Sequence, residues 1–184
     1  AASDVYKRQV AYLAGRYLIE HGHKTVALLA GVRSYLSNQE RTAGFLQAFQ
    51  EEGLSIPPEL ILETGSWLYD AAEKVCLNFF NTYTGEMPTA LFAFNDRLAT
   101  GAINAICKTG RTVPDDVSVI GYDNLGYYNI ISPRITTVET HIEAISESTV
   151  MHMIWQLNNG SCLPVKVLTP VEVISGETVR SLLC

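Results

Sequence analysis

One guanidinium, one indole, one amide and one carboxylate stand after successive short apolar runs of the sequence: Arg41, Trp67, Asn95 and Asp123. Together they suit recognition of a small polyol, a sugar or a flat polar metabolite. An indole packs against the C–H side of a sugar ring, while Arg, Asn and Asp supply the paired donors and acceptors that neighbouring hydroxyls need. Ser37 and Asn38 add polar groups on the stretch that leads to Arg41. Each residue also has a plainer reading. Arg41 suits a solvated helix position, and Trp67 suits a core or lobe interface. Asn95 and Asp96 are both good helix caps, and Asp123 fits a loop acid bonded to its own backbone.

Signatures of catalysis are missing. The sequence has no Gly-x-Ser-x-Gly elbow, no Gly-x-x-x-x-Gly-Lys-Ser/Thr phosphate loop, no Gly-x-Gly-x-x-Gly and no His-Glu-x-x-His. The residues describe a binding module and not an enzyme, with no cofactor implied. His21 and His23 flank a helix stop, where a helix C-terminus favours positive charge. His141 and His152 have a poor metal spacing, and Cys76, Cys107, Cys162 and Cys184 are scattered without a Cys-x-x-Cys, so no metal site and a reduced compartment are expected.

The elements that must position these residues alternate. Val10 to His21 carries apolar residues at helical spacing, and Thr25 to Ala30 (TVALLA) is an apolar run that suits a strand covered on both faces. A helix over Gln39 to Glu52 and a strand at Leu60 to Glu63 come next. Asp70 with Glu73 predicts a capping-box start for a helix to about Phe80. Thr89 to Phe94 is the third strand, a helix runs from Asn95/Asp96 to Gly110, and Val117 to Gly121 is the fourth strand. Beyond Asp123 the rhythm breaks into a loop with Tyr127, Tyr128 and Pro133. A strand near Ile135 to Val138, a helix over about Ile142 to Leu157, and strand-like Val165 to Leu168 and Val171 to Ile174 complete the chain. Apolar strands alternating with helices predict an α/β fold, a doubly wound parallel sheet, with an incomplete companion lobe. In such sheets ligands bind beyond the carboxyl ends of the strands, where all four residues fall.

Composition narrows the partners. The 184 residues are 47% hydrophobic and 17% charged, enough for a packed core. Thirteen Lys and Arg against nineteen Asp and Glu give a net charge of −6, and the basic residues are scattered, which argues against this segment gripping nucleic acid. No apolar run approaches the ~20 residues that cross a bilayer, and no secretion signal opens the chain, so a cytoplasmic protein without a membrane partner is expected.

The blocks "HGHKTVALLAG", "RTAGFLQAF", "PTALFAFNDRLATGA", "VPDDVSVIGYDN" and "SPRITTVET" resemble, in order and spacing, the lactose/galactose repressor (LacI/GalR) family of bacterial transcription regulators over about residues 10 to 178. The resemblance implies an N-terminal helix-turn-helix domain, a hinge helix and a two-lobed effector-binding core similar to periplasmic sugar-binding proteins. It implies that the DNA-binding head and most of the first lobe precede Val10. Residues 23 to 138 would then form mainly the second lobe. Residues 10 to 22 and about 139 to 178 would contribute to the first, 179 to 184 would be a tail, and residues 1 to 9 stand apart as a scar foreign to the fold. On the same resemblance Arg41 grips the effector, Asn95 is its polar contact, Asp123 binds hydroxyl or amino groups and Trp67 stacks. Thr140 stands where some members touch the effector. The family dimerises, which points to Arg97, Leu98, Tyr128 and Ile131 as interface candidates. The function implied is sensing of a sugar or related metabolite between two lobes of a homodimer, which alters operator affinity. A periplasmic sugar receptor of a transporter is the alternative, since it uses the same lobes.

Overall fold

The computed structural model describes residues 2–125, 132–160, 165 and 169–183. In chain order the elements are α1 (Ala2–Glu20), β1 (Val26–Ala30), α2 (Leu36–Glu51), a 3-10 turn (Pro58–Leu60), β2 (Ile61–Glu63) and α3 (Tyr69–Thr82). They continue with β3 (Ala90–Ala93), α4 (Asp96–Lys108), β4 (Ser118–Asp123), β5 (Thr136–Glu139), α5 (Ile142–Asn159) and β6 (Glu172–Ile174). Six strands form one sheet in the order β2-β1-β3-β4-β5-β6. The first five are parallel, and β6 runs antiparallel beside β5. The expected α/β doubly wound sheet is therefore observed.

Chemistry tracks position in that sheet. VALLA of β1 and ALFA of β3 are buried at every residue because these strands lie inside the sheet with helices on both faces. Helices α1 and α2 pack together, and α3 and α4 form the other pair. Phe45 of α2 sits 5.0 Å from both Phe49 and Phe92, ring centroid to centroid, and joins the helix layer to the sheet.

Two expectations need correcting. The helix placed at Val10 begins at Ala2, and its stripe Val10, Ala11, Ala14 and Leu18 is wholly buried against α2 and the sheet. The capping box does not form. Leu68 occupies the cap of α3 without a side-chain bond, Asp70 lies within the first turn, and Glu73 pairs with Lys108 of α4 instead of folding back. Helix α5 is unlike the others, for none of its described residues is buried and Val150, Met151, Met153, Ile154, Trp155 and Leu157 are exposed. The strand expected over Val165–Leu168 lies outside the described residues, apart from Val165.

Candidate functional site

Parallel strands end on one side of a sheet, so the residues just beyond each strand share a rim. Arg41 lies on the second turn of α2 after β1, Trp67 comes after β2, Asn95 after β3, Asp123 ends β4 and Thr140 comes after β5. The rim gathers three aromatic and acidic groups around the arginine. The Arg41 guanidinium carbon lies 4.3 Å from the ring centroid of Tyr122 and 5.5 Å from that of Trp67. At these distances the ring quadrupoles attract the cation. The positive charge of Arg41 also acts on the Asp123 carboxylate, whose acidity it increases. The arginine is only 9% exposed, and its Nε has no hydrogen-bond partner among the described residues. A buried donor left unpaired is costly, and an acceptor brought in at this point satisfies it.

Local sequence explains how the shelf is built. Trp67 packs flat on Gly31, where an added Cβ would come within 2.7 Å of the indole, so only glycine lets the ring approach. Tyr35 stacks beside Trp67 at 6.4 Å and stays exposed at the outer edge. Asn38 is buried and its Oδ1 accepts a bond from the Gly31 amide at 3.0 Å, which ties α2 to the end of β1. Ser37 beside it is half-buried.

Asn95 caps α4, its Oδ1 accepting from the Leu98 amide at 2.7 Å. Capping is thus its demonstrable bond, and its half-buried side chain stands at the rim between β1 and β4. Thr140 is buried, donating its amide to Glu139 Oε1 at 3.1 Å and accepting the Tyr6 hydroxyl on its carbonyl at 3.0 Å.

Electrostatics set the rim apart. Burial pushes Asp123 up to about 7, against the opposing pull of Arg41, while the negative charge of Asp96 pushes in the same direction as burial. Burial also raises the Tyr122 hydroxyl, and Arg41 counteracts it. Asp123 (φ 105°), Asn124 (φ 51°) and His141 (φ 50°) are the described non-glycine residues with positive φ, and all three stand where β4 and β5 end. Such strain persists only when the surroundings hold it, and it concentrates where ligands are clamped.

Two residues escaped the sequence reading. Tyr122 fell one residue beyond the expected fourth strand, whereas it belongs to β4 and its ring lies under the Arg41 guanidinium. Asp96 looked like a cap, whereas its carboxylate is 2% exposed and spent on β5 and the turn after β4. Of the proposed interface residues, Leu98 is fully buried in the core of its own chain and so cannot face a partner. Arg97 is exposed, and Tyr128 and Ile131 lie outside the described residues. Among the described residues no three His, Cys, Asp or Glu side chains converge on a metal site. His23 is buried between Thr89 Oγ1 and the Arg180 carbonyl, each at 3.0 Å, and burial lowers its basicity.

A parallel sheet with a polar, aromatic-floored mouth at its carboxyl edge defines a ligand-recognition unit of the type found in binding proteins. Residues 16–179 match the periplasmic binding protein-like domain, and the chain belongs to that family. Its relatives and structural neighbours include transcriptional repressors and LacI-family regulators. The HTH-type transcriptional repressor PurR of Pasteurella multocida is 34% identical over 170 residues, covering 92% of this chain and 50% of that protein. The probable HTH-type transcriptional repressor ExuR of Bacillus subtilis is 32% identical over 175 residues, with the same shares. Among solved structures, a sugar-binding LacI-family regulator from Escherichia coli complexed with phosphate has a TM-score of 0.84 at 25% identity, covering 95% of this chain and 62% of that one. The lac repressor dimer bound to operator and the anti-inducer ONPF has a TM-score of 0.82 at 27% identity, covering 95% and 59%. The chain thus spans about half the length of the curated relatives it matches.

Proposed function

We propose that this chain is the sensing part of a transcriptional repressor. It binds a small effector, a sugar or sugar derivative, at the mouth formed by Arg41, Trp67, Asn95, Tyr122 and Asp123. The observation that carries the reading is the buried Arg41 guanidinium, floored by two aromatic rings, with an unpartnered Nε and with a charge felt by the Asp123 carboxylate. That arrangement offers a donor fork, an acceptor and an apolar floor within one mouth, which is what a ring bearing several hydroxyls requires. Ser37, Asn38 and Thr140 are secondary candidates around it.

In the whole protein a first lobe closes over the mouth, and the uncovered apolar residues of α5 belong against that lobe. Two such chains act as a homodimer, through surfaces that include Arg97, with operator DNA held by an N-terminal domain. Effector binding changes the lobe angle only insofar as it binds one arrangement more tightly, a coupling of about 1 to 3 kcal/mol. The relatives named as repressors favour this over a periplasmic receptor and over an enzyme, and a repressor works in the cytoplasm. No helix among the described residues is long and apolar enough to cross a membrane.

The test is operator binding by the intact regulator, monitored by fluorescence anisotropy during titration with a panel of pentoses, hexoses, uronic acids and sugar phosphates. One of them is expected to shift operator affinity, and Arg41→Ala is expected to abolish the shift while leaving ligand-free operator binding intact. A response that survives Arg41→Ala unchanged refutes the site.

A further inference from the structure

We propose that Asp96 is a positioning residue for the mouth: its buried carboxylate gathers the backbone of the turn after β4 and thereby aims Asp123 at Arg41. The turn needs such a restraint. Asp123 at φ 105° and Asn124 at φ 51° adopt backbone that residues with a Cβ avoid, so neighbouring groups must hold them there.

Asp96 is placed to do so. It opens α4, yet Asn95 already caps that helix, so capping does not account for its burial. Its Oδ1 accepts the Thr137 hydroxyl of β5 at 2.6 Å. The backbone amides of Tyr122, Asn124 and Leu125 also stand where they stabilise the charge of the same carboxylate. The carboxylate, 2% exposed, thus meets groups of β5, of β4 and of the turn that follows it. Gly121 is the complement of this arrangement, because a Cβ there would overlap the Asp96 Oδ1. On the other flank the Asn124 side chain donates to Glu139, so the turn is clasped between two carboxylates, one from each neighbouring element. Burial raises Asp96 to about 6 and these hydrogen bonds hold it back, as expected of a charge retained for the bonds it accepts.

The purpose of the positioning rests on the effector site being the Arg41 mouth, but the test uses the intact protein without ligand, so either can fail without the other. Amide hydrogen exchange is measured at Asn124 and Leu125, together with the pH titration of the Asp123 side-chain carbon by NMR. In Asp96→Asn, exchange at those two amides is expected to accelerate about ten-fold or more while Ile120, within the β3–β4 ladder, keeps its protection. The Asp123 midpoint is expected to fall, because a like charge is removed while Arg41, Tyr6, Tyr122 and Glu139 remain around it. Phe49→Leu, a destabilising change in the core, should move neither readout, which separates positioning from general loosening. Gly121→Ala should accelerate the same amides, and Thr137→Val, which removes one neutral donor, should do so less; these two variants carry the test if Asp96→Asn does not fold. Unchanged exchange at Asn124 in the folded variants, or an Asp123 midpoint that stays put in Asp96→Asn, overturns the proposal.

Discussion

Replacing Asp123 by asparagine should change how the stability of the ligand-free protein depends on pH, in a direction opposite to ordinary acid denaturation. Burial lifts the carboxyl from 3.8 to about 7 in the folded chain. Between those values the folded state holds a proton that the unfolded state has lost. The stabilisation linked to that proton is fully present below about pH 4 and disappears as the pH rises through about 7. Over about three pH units at about 1.36 kcal/mol each, the ceiling is about 4 kcal/mol. From pH 5 to pH 8 only about two of those units are crossed, and solvent reaches part of the side chain, so about 1 to 2 kcal/mol is expected. Urea unfolding at pH 5 and pH 8 measures it: the wild type should lose that much more than Asp123→Asn over the interval. Asp96, raised in the same direction, is present in both proteins, so the comparison isolates Asp123 together with its coupling to Asp96. Parallel pH profiles for the two proteins would refute the premise that Asp123 is held desolvated at the rim.

Effector affinity should increase between about pH 6 and pH 8, because the ionised Asp123 is the stronger acceptor for hydroxyl groups and offers both oxygens, and calorimetric titration across that range should show the rise lost in Asp123→Asn. Phe92→Ala, which empties the centre of the Phe45, Phe92 and Phe94 cluster, should cost about 3 to 5 kcal/mol in urea unfolding. Asn38→Ala leaves the buried Gly31 amide without its acceptor and should cost about 1 to 3 kcal/mol, read in the same way. Gly31→Ala should displace the indole of Trp67 and weaken effector binding, with a change in tryptophan emission already visible in the free protein.

Much of this architecture was legible because buried parallel strands are spelled as unbroken apolar runs. TVALLA, LILE, TALFAF and VSVIG fall within a residue or two of β1 to β4. The rim residues were legible for a related reason, since a sheet of known polarity fixes which end of each run faces a ligand. What the residues could not convey was the use of side chains with two competing roles. Asp96 and Asn95 are equally good caps by type, and only the proximity of Thr137 and the β4 turn decides which one caps and which one is buried. Leu98 resembled a surface contact until the sheet beneath α4 enclosed it. Asp70 matched a capping box by spacing, but Lys108 from the adjacent helix claimed its partner Glu73. Each miss turns on a neighbour distant in sequence, which local spacing does not encode.

The reversal of β6 has a mechanical consequence. Because Glu139 at the end of β5 is paired with Glu172 at the start of β6, the polypeptide departs from the sheet and comes back through adjacent points on one edge. Two such tethers, lying about 5 Å apart as paired strands do, let whatever they carry swing or twist like a door on a double pin but resist sliding it sideways. Any displacement of the excursion that contains α5 is thereby channelled into rotation about a pivot beside the mouth, so that a small tilt there becomes a long arc at the far end.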